Sequence, residues 1–246
     1  MSIDGAAALP LARRLVARKI RNCRLVLARY AERAPEKGPA PLDRLADIAA
    51  RAETAETLEM LLGLEGTAAR LYFTQAMMYQ TSEFGWPGRV KHPSTDPINA
   101  MLSLAYTLLW QELASILEGL GLDPASGFFH QPDFGRRSLA LDLVESFRHP
   151  CGDRLVLTML NKKIFSADDF YEGPGKAIFL NGEAIRQFLE AYEAWMIQKP
   201  AKGISFREAT RRQGEAFVRH LQKKAEWEPY IWMEEDEECS TSSVTI

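Results

Sequence analysis

The chain of 246 residues is 46% hydrophobic and 26% charged, the balance of an ordinary soluble protein with mass for one large or two small domains. No apolar run reaches the ~20 residues of a membrane span and no signal-peptide layout opens the chain, so a cytoplasmic protein without membrane contact is expected. Cys23, Cys151 and Cys239 stand alone, which excludes a disulfide framework or a zinc ribbon, and the formal charge of −3 hides an uneven distribution.

From Glu226 onward there are seven acidic residues and no Lys or Arg, so residues 1–225 carry 30 basic against 26 acidic side chains, a net +4. The body is mildly basic and an acidic tail masks it. Residues 1–10 are small and apolar and read as frayed. From 11 to 33, Leu15, Ile20, Cys23, Leu27 and Tyr30 mark a helical stripe. Arg13, Arg14, Arg18, Lys19, Arg21, Arg24, Arg29 and Arg33 decorate the rest, either as a solvated face or as cations for phosphates.

After the breaker APEKGPAP, residues 42–52 read as a second helix with Leu45, Ile48 and Ala49 inward. Thr54 or Thr57 caps a third, through LEMLLGLEGTAARLYFTQAMMYQ. Glu65 lies in it between Gly63 and Gly66. Glycine costs helix stability, so its use there suggests a close approach to the backbone. Residues 81–95 read as a loop carrying Arg89, Lys91 and His92. Asp96 as N-cap and Pro97 at the first position start a helix to about residue 120, with Met101, Leu102, Leu108, Leu109, Leu113, Ile116 and Leu117 as core.

Pro124, Gly127, Pro132 and Gly135 then keep the chain irregular up to Ser138, a good N-cap for a helix bearing Asp142 and Glu145. At i, i+3 these carboxylates share a face, and they repel unless a cation or a shared proton intervenes. With His130 just upstream they form a donor set for Mg²⁺ or Mn²⁺. The plainer alternative is a solvated acidic face beside a structural histidine. A helix over 153–163 ends in Lys162 and Lys163, and His149, Pro150 and Cys151 before it read as a connection. Residues 177–180 suggest a short strand. Helices over 181–198 and 205–226 follow, the last with Arg207, Arg211, Arg212, Arg219, Lys223 and Lys224 as a second cationic surface. Residues 234–246 are too acidic and polar to pack.

Taken together, LGLEG before AARLYF, DPINAMLSLAYTLLW, GFFH, SLALDLVESFR, DRLVLTMLNKK and the stretch from Gln213 to Tyr230 resemble the universal CRISPR adaptation nuclease, the Cas endonuclease and integrase that inserts new spacers. The resemblance covers residues 11–232. It implies an all-α catalytic domain over residues 11–233, with Glu65, His130, Asp142 and Glu145 as catalytic metal ligands for Mg²⁺ or Mn²⁺. Glu145 stands where the family commonly has Asp. Arg89, Lys91, Arg148, Lys162 and Lys163 are the expected DNA contacts, with Lys91 and His92 replacing consecutive arginines.

The implied reaction is attack of a prespacer 3′-hydroxyl on a CRISPR repeat phosphodiester. The implied partners are double-stranded DNA, a second Cas adaptation protein and further copies of the chain in a homodimer or higher multimer. Trp110 stands near where many relatives have Tyr, with Tyr106 one turn earlier, which disfavours a covalent tyrosine mechanism. The usual N-terminal β domain is expected to be missing. The competing readings are a catalytically impaired DNA-binding or scaffolding subunit, and a helical enzyme acting on small substrates.

Overall fold

Helix α1 (Gly5–Arg33) is the element on which the others converge. It starts earlier than expected, inside the segment read as frayed, where a run of alanines favours helix despite Pro10. The computed structural model describes residues 5–90, 93–130, 137–199 and 203–232, with the backbone alone for residues 5–7. Leu15, Val16, Ile20, Cys23, Val26 and Leu27 of α1 are buried, one stripe at helical spacing. Against that helix pack α2 (Leu42–Glu53), α3 (Leu58–Ala76) and α5 (Ser138–Phe147). Asn22, on the same buried face, donates to the carbonyls of Ser146 (2.7 Å) and Tyr230 (3.0 Å) and accepts from the Trp232 N–H (3.0 Å). It thereby ties the C-terminal segment to the core through three backbone groups.

Side-chain caps from Thr57, Asp96, Asn181 and Ser205 place the starts of their helices. Thr57 accepts from the Met60 N–H at 3.2 Å to begin α3. Asp96 accepts from the Asn99 N–H at 2.9 Å to begin α4 (Pro97–Gly119). Such a cap satisfies one of the orphan N–H groups of the first turn. Helix α4 is long and apolar enough, by length and composition, to cross a membrane. Its Ile98, Met101, Leu102, Leu109, Leu113 and Leu117 are nevertheless buried in the core.

Ser138 is not the cap it was expected to be. It is the first residue of α5, and the open N–H of Leu139 instead meets the Pro124 carbonyl at 2.8 Å. Helix α5 passes through a π-helical turn (Arg148–Asp153) into α6 (Arg154–Asn161), so the stretch read as a connection is helical. Pro150 has no N–H to give, and the wider turn accommodates that break.

The expected strand exists as half of a hairpin, β1 (Phe170–Glu172) against β2 (Ile178–Leu180), with Tyr171 opposite Phe179. Asn181 and Ser205 cap α7 (Gly182–Ile197) and α8 (Phe206–Leu221), and α8 ends short of the expected residue 226. Among the described residues that hairpin is the only strand pairing, and the rest is the all-α architecture that the resemblance implies. Lys91, His92, Cys239 and the acidic tail lie outside the described residues.

Candidate active site

Gly127 brings the loop before α5 hard against the helix. A Cβ there would lie 2.6 Å from Ser138 Cβ and 2.9 Å from the Ser138 carbonyl carbon. This approach lets three successive backbone N–H groups, of Phe128 (2.6 Å), Phe129 (3.0 Å) and His130 (2.8 Å), donate to the Asp142 carboxylate. His130 Nδ1 lies 2.6 Å from Asp142 Oδ1. A carboxylate has about four acceptor positions, and all those of the fully buried Asp142 are engaged. Expected to ligate a metal directly, Asp142 is placed behind His130 instead. There it favours the proton on Nδ1 and turns Nε2 toward Glu145 Oε1, 3.9 Å away.

Glu145, one turn further along α5, is 2% exposed. Its Oε1 meets the Arg148 guanidinium at 2.9 Å, and its Oε2 lies 2.5 Å from the Lys19 ammonium. Lys19 comes from α1, is 5% exposed, and also pairs with Glu65 of α3. Three helices therefore meet on one ammonium group. Burial pushes the Glu145 carboxyl up, but the charges of Arg148, Lys19 and His130 outweigh it and hold the group well below its ordinary range. Burial likewise disfavours the Lys19 ammonium, and Glu145 and Glu65 more than reverse the effect, so its pKa is raised.

Among the described residues no three His, Cys, Asp or Glu side chains are gathered tightly enough to hold a metal as they stand. The expected set is two carboxylates drawn onto Lys19, an imidazole near one of them, and a carboxylate turned to backbone. The donor chemistry of Glu65, Glu145 and His130 nonetheless fits a hard divalent cation. Glu145 Oε2 supports that fit, because among the described residues the Lys19 ammonium is the one group it meets, at 2.5 Å. Among the described residues nothing beyond the helix's own neighbouring backbone lies within 4 Å of a Cβ built on Gly63 or Gly66, so these residues do not make the expected close approach.

In the sequence Lys19 reads as one of the outward cations of α1, either solvated or available to phosphates. Its place four residues from Leu15 and from Cys23, both buried, was the signal that it faces inward.

Beside this cluster opens a cavity of about 370 Å³, lined by Lys19, Glu65, Trp86, Arg89, Tyr106 and Arg148 among others. The Tyr106 ring lies under the Arg148 guanidinium at 4.7 Å and the Arg89 guanidinium at 5.4 Å. Its hydroxyl donates to the buried Asp153, which also holds His149 Nδ1 at 2.6 Å. Arg89 and Arg148, two of the expected DNA contacts, thus flank the carboxylates. Lys162 and Lys163 are exposed just past α6 and do not line the cavity. Trp110 is half-buried and donates to the Arg137 carbonyl at 3.4 Å.

The cationic helices are less bare than the sequence suggests. Arg14 and Arg18 pair with Glu226 and Glu228, Arg207 with Glu112 and Glu193, and Arg211 and Arg212 with Glu208.

Gly127→Ala tests the local architecture. The new Cβ would meet backbone, which cannot swing aside, so the loop must shift and the N–H groups aimed at Asp142 with it. A loss of about 1–3 kcal/mol is expected by chemical denaturation, as for other overpacked sites.

The family model for CRISPR associated protein Cas1 matches residues 1–194. Over 87% of its length the chain is 40% identical to the CRISPR-associated endonuclease Cas1 3 of Thermus thermophilus, and it spans 63% of that relative. It is 32% identical to the CRISPR-associated endonuclease Cas1 of Leptospira interrogans across 91% of this chain and 93% of the relative. A chain of a solved Cas6-RT-Cas1–Cas2 complex superposes with a TM-score of 0.78 at 26% identity, over 92% of this chain and 25% of that one. With the family model spanning most of its length and the Leptospira relative matched almost end to end, the chain belongs to the Cas1 family.

Proposed function

We propose that this chain is a divalent-metal-dependent DNA endonuclease and integrase of CRISPR adaptation, joining a prespacer 3′-hydroxyl to a repeat phosphodiester. The observation that carries the reading is the convergence of Glu65 and Glu145, from two helices, on a single cationic position beside His130. Glu65, Glu145 and His130 Nε2 would hold Mg²⁺ or Mn²⁺, and Asp142 would orient the imidazole. A bound ion of this kind polarises a phosphodiester and offsets the charge that develops in its displacement.

The chain's own groups supply the rest. Arg148 and Arg89, steadied on the face of Tyr106, offer guanidinium donors at the cavity wall. Their fork geometry suits phosphate oxygens and carries no base information. Trp86 and Tyr106 line the same cavity with aromatic surface. The membership in the Cas1 family and the endonuclease names of the relatives support nuclease chemistry. The solved complex that contains Cas2 supports a second adaptation protein as partner. A cytoplasmic setting and assembly into a multimer are part of the same proposal.

The test is transfer of a labelled 3′-hydroxyl duplex into a supercoiled plasmid bearing a CRISPR repeat, in Mn²⁺, with and without the second adaptation protein. Joined product that needs Mn²⁺ and disappears in Glu65→Gln and His130→Ala proteins is expected. Product undiminished in those variants would overturn the assignment. The bridging of Glu65 and Glu145 by Lys19 favours one second reading, a DNA-binding scaffold whose carboxylates are neutralised by the chain itself. It predicts duplex binding with no product under either condition.

A further inference from the structure

We propose that Lys19 is an exchangeable resident cation: its ammonium occupies the position between Glu65 and Glu145 until a divalent ion enters, and is then displaced toward the neighbouring cavity. This inference rests on the reading of the carboxylate cluster as a divalent-cation site.

The argument begins with Glu145, a buried carboxylate that requires a counter-charge. Arg148 supplies part of it from the Oε1 side. Among the described residues the Oε2 side meets Lys19 alone, and Lys19 also holds Glu65. An ion bridging the two carboxylates would need the space that Lys19 Nζ fills. Two cations cannot share it.

The side chain is suited to leaving. Lysine carries a compact charge on a flexible four-carbon stem, unlike the planar guanidinium of Arg148 that stacks on Tyr106. Lys19 also lines the 370 Å³ cavity, so open volume adjoins its stem. Arg89 and Arg148 stand on the same wall, and a displaced ammonium would add a third positive charge where a phosphate backbone is expected to lie. The exchange has two consequences. The metal-free site stays folded around its own cation, and metal affinity is set below what two free carboxylates would give.

The experiment is Mn²⁺ titration by calorimetry of the full chain and of Lys19→Met and Glu145→Gln proteins, with melting temperatures in chelator and in Mn²⁺. In Lys19→Met the Mn²⁺ affinity is expected to rise about tenfold or more. Its melting temperature should fall in chelator and be raised by Mn²⁺ further than that of the parent. An affinity unchanged or weakened in Lys19→Met, where Glu145→Gln abolishes binding, would overturn the exchange and leave the metal site standing. Identical isotherms for the parent and Glu145→Gln would overturn the metal site itself and the exchange with it. Should Lys19→Met not fold, amine labelling of the parent decides. Lys19 is expected to be protected without metal and labelled about tenfold faster in Mn²⁺, and protection undiminished by Mn²⁺ would overturn the exchange.

Discussion

Glu145→Gln is expected to destabilise the protein by about 3–5 kcal/mol and, on the function proposed above, to reduce cleavage and joining strongly. The amide keeps the shape of the side chain and removes its charge. Arg148, 2.9 Å away, and Lys19, 2.5 Å away, then lose the buried anion they share. Breaking a buried pair from one side leaves an uncompensated charge, which costs far more than the intact pair contributes. Against a typical total stability of roughly 5–15 kcal/mol, that loss is measurable as a shift of the denaturation midpoint.

The pH dependence gives the prediction a sign. The folded Glu145 carboxyl titrates below its ordinary range, so its contribution is present above the unfolded value, about 4.3, and is lost as pH falls toward the folded one. The gap between parent and variant should be constant from pH 5 to 8 and narrow below about pH 4.3. The raised Lys19 pKa describes the same ion pair from its other side. Its contribution is present below the ordinary lysine value and lost only at strongly alkaline pH, so it does not disturb the acid window. A gap that stays constant down to pH 3 would show that Glu145 is not held as a carboxylate by these cations. For activity, the loss should exceed the roughly 100-fold upper range for residues that only support a metal ligand.

Much of the helical frame could be read from caps. Asp96 with Pro97, Thr57, Asn181 and Ser205 each start a helix where a short polar side chain meets an open N–H, a signal contained in four residues. Ser138 misled because its helix takes its cap from the Pro124 carbonyl, a contact that no local pattern announces. Glu65, His130, Asp142 and Glu145 lie near one another in the fold, yet the contacts that each makes are not legible in the sequence. Spacing of i, i+3 puts Asp142 and Glu145 on one face of α5, but it does not say that a loop will lay three N–H groups over the first and leave the second to Lys19 and Arg148. His149 and Asp153 were passed over for a related reason. Pro150 between them reads as a break, while the chain bridges it with a π turn that buries both on the wall behind Tyr106.

That division of labour yields the second large prediction, at Asp142. In Asp142→Asn one acceptor oxygen becomes an NH₂ donor, and every neighbour of the native carboxylate is a donor or can be one. If the NH₂ faces Phe128 and Phe129, two buried N–H groups lose their acceptor at about 1–3 kcal/mol each. If it faces His130, the backbone N–H of that residue is opposed and Nδ1 must become the acceptor, which moves the imidazole proton to Nε2. The nitrogen that points at Glu145 then carries a hydrogen and has no lone pair for a cation. Either way Mn²⁺ affinity and joining activity should fall about 10- to 100-fold, the range for residues that orient a ligand. The first arrangement adds a stability loss of about 2–6 kcal/mol in chelator, and the second should show in ¹⁵N spectra of His130 as a switch from the Nδ1–H to the Nε2–H tautomer. Asp142→Asn with parental stability, tautomer and Mn²⁺ affinity would return Asp142 to the role of an ordinary buried acid. A loss of affinity that follows the tautomer would make it the residue that decides which nitrogen of His130 faces the metal.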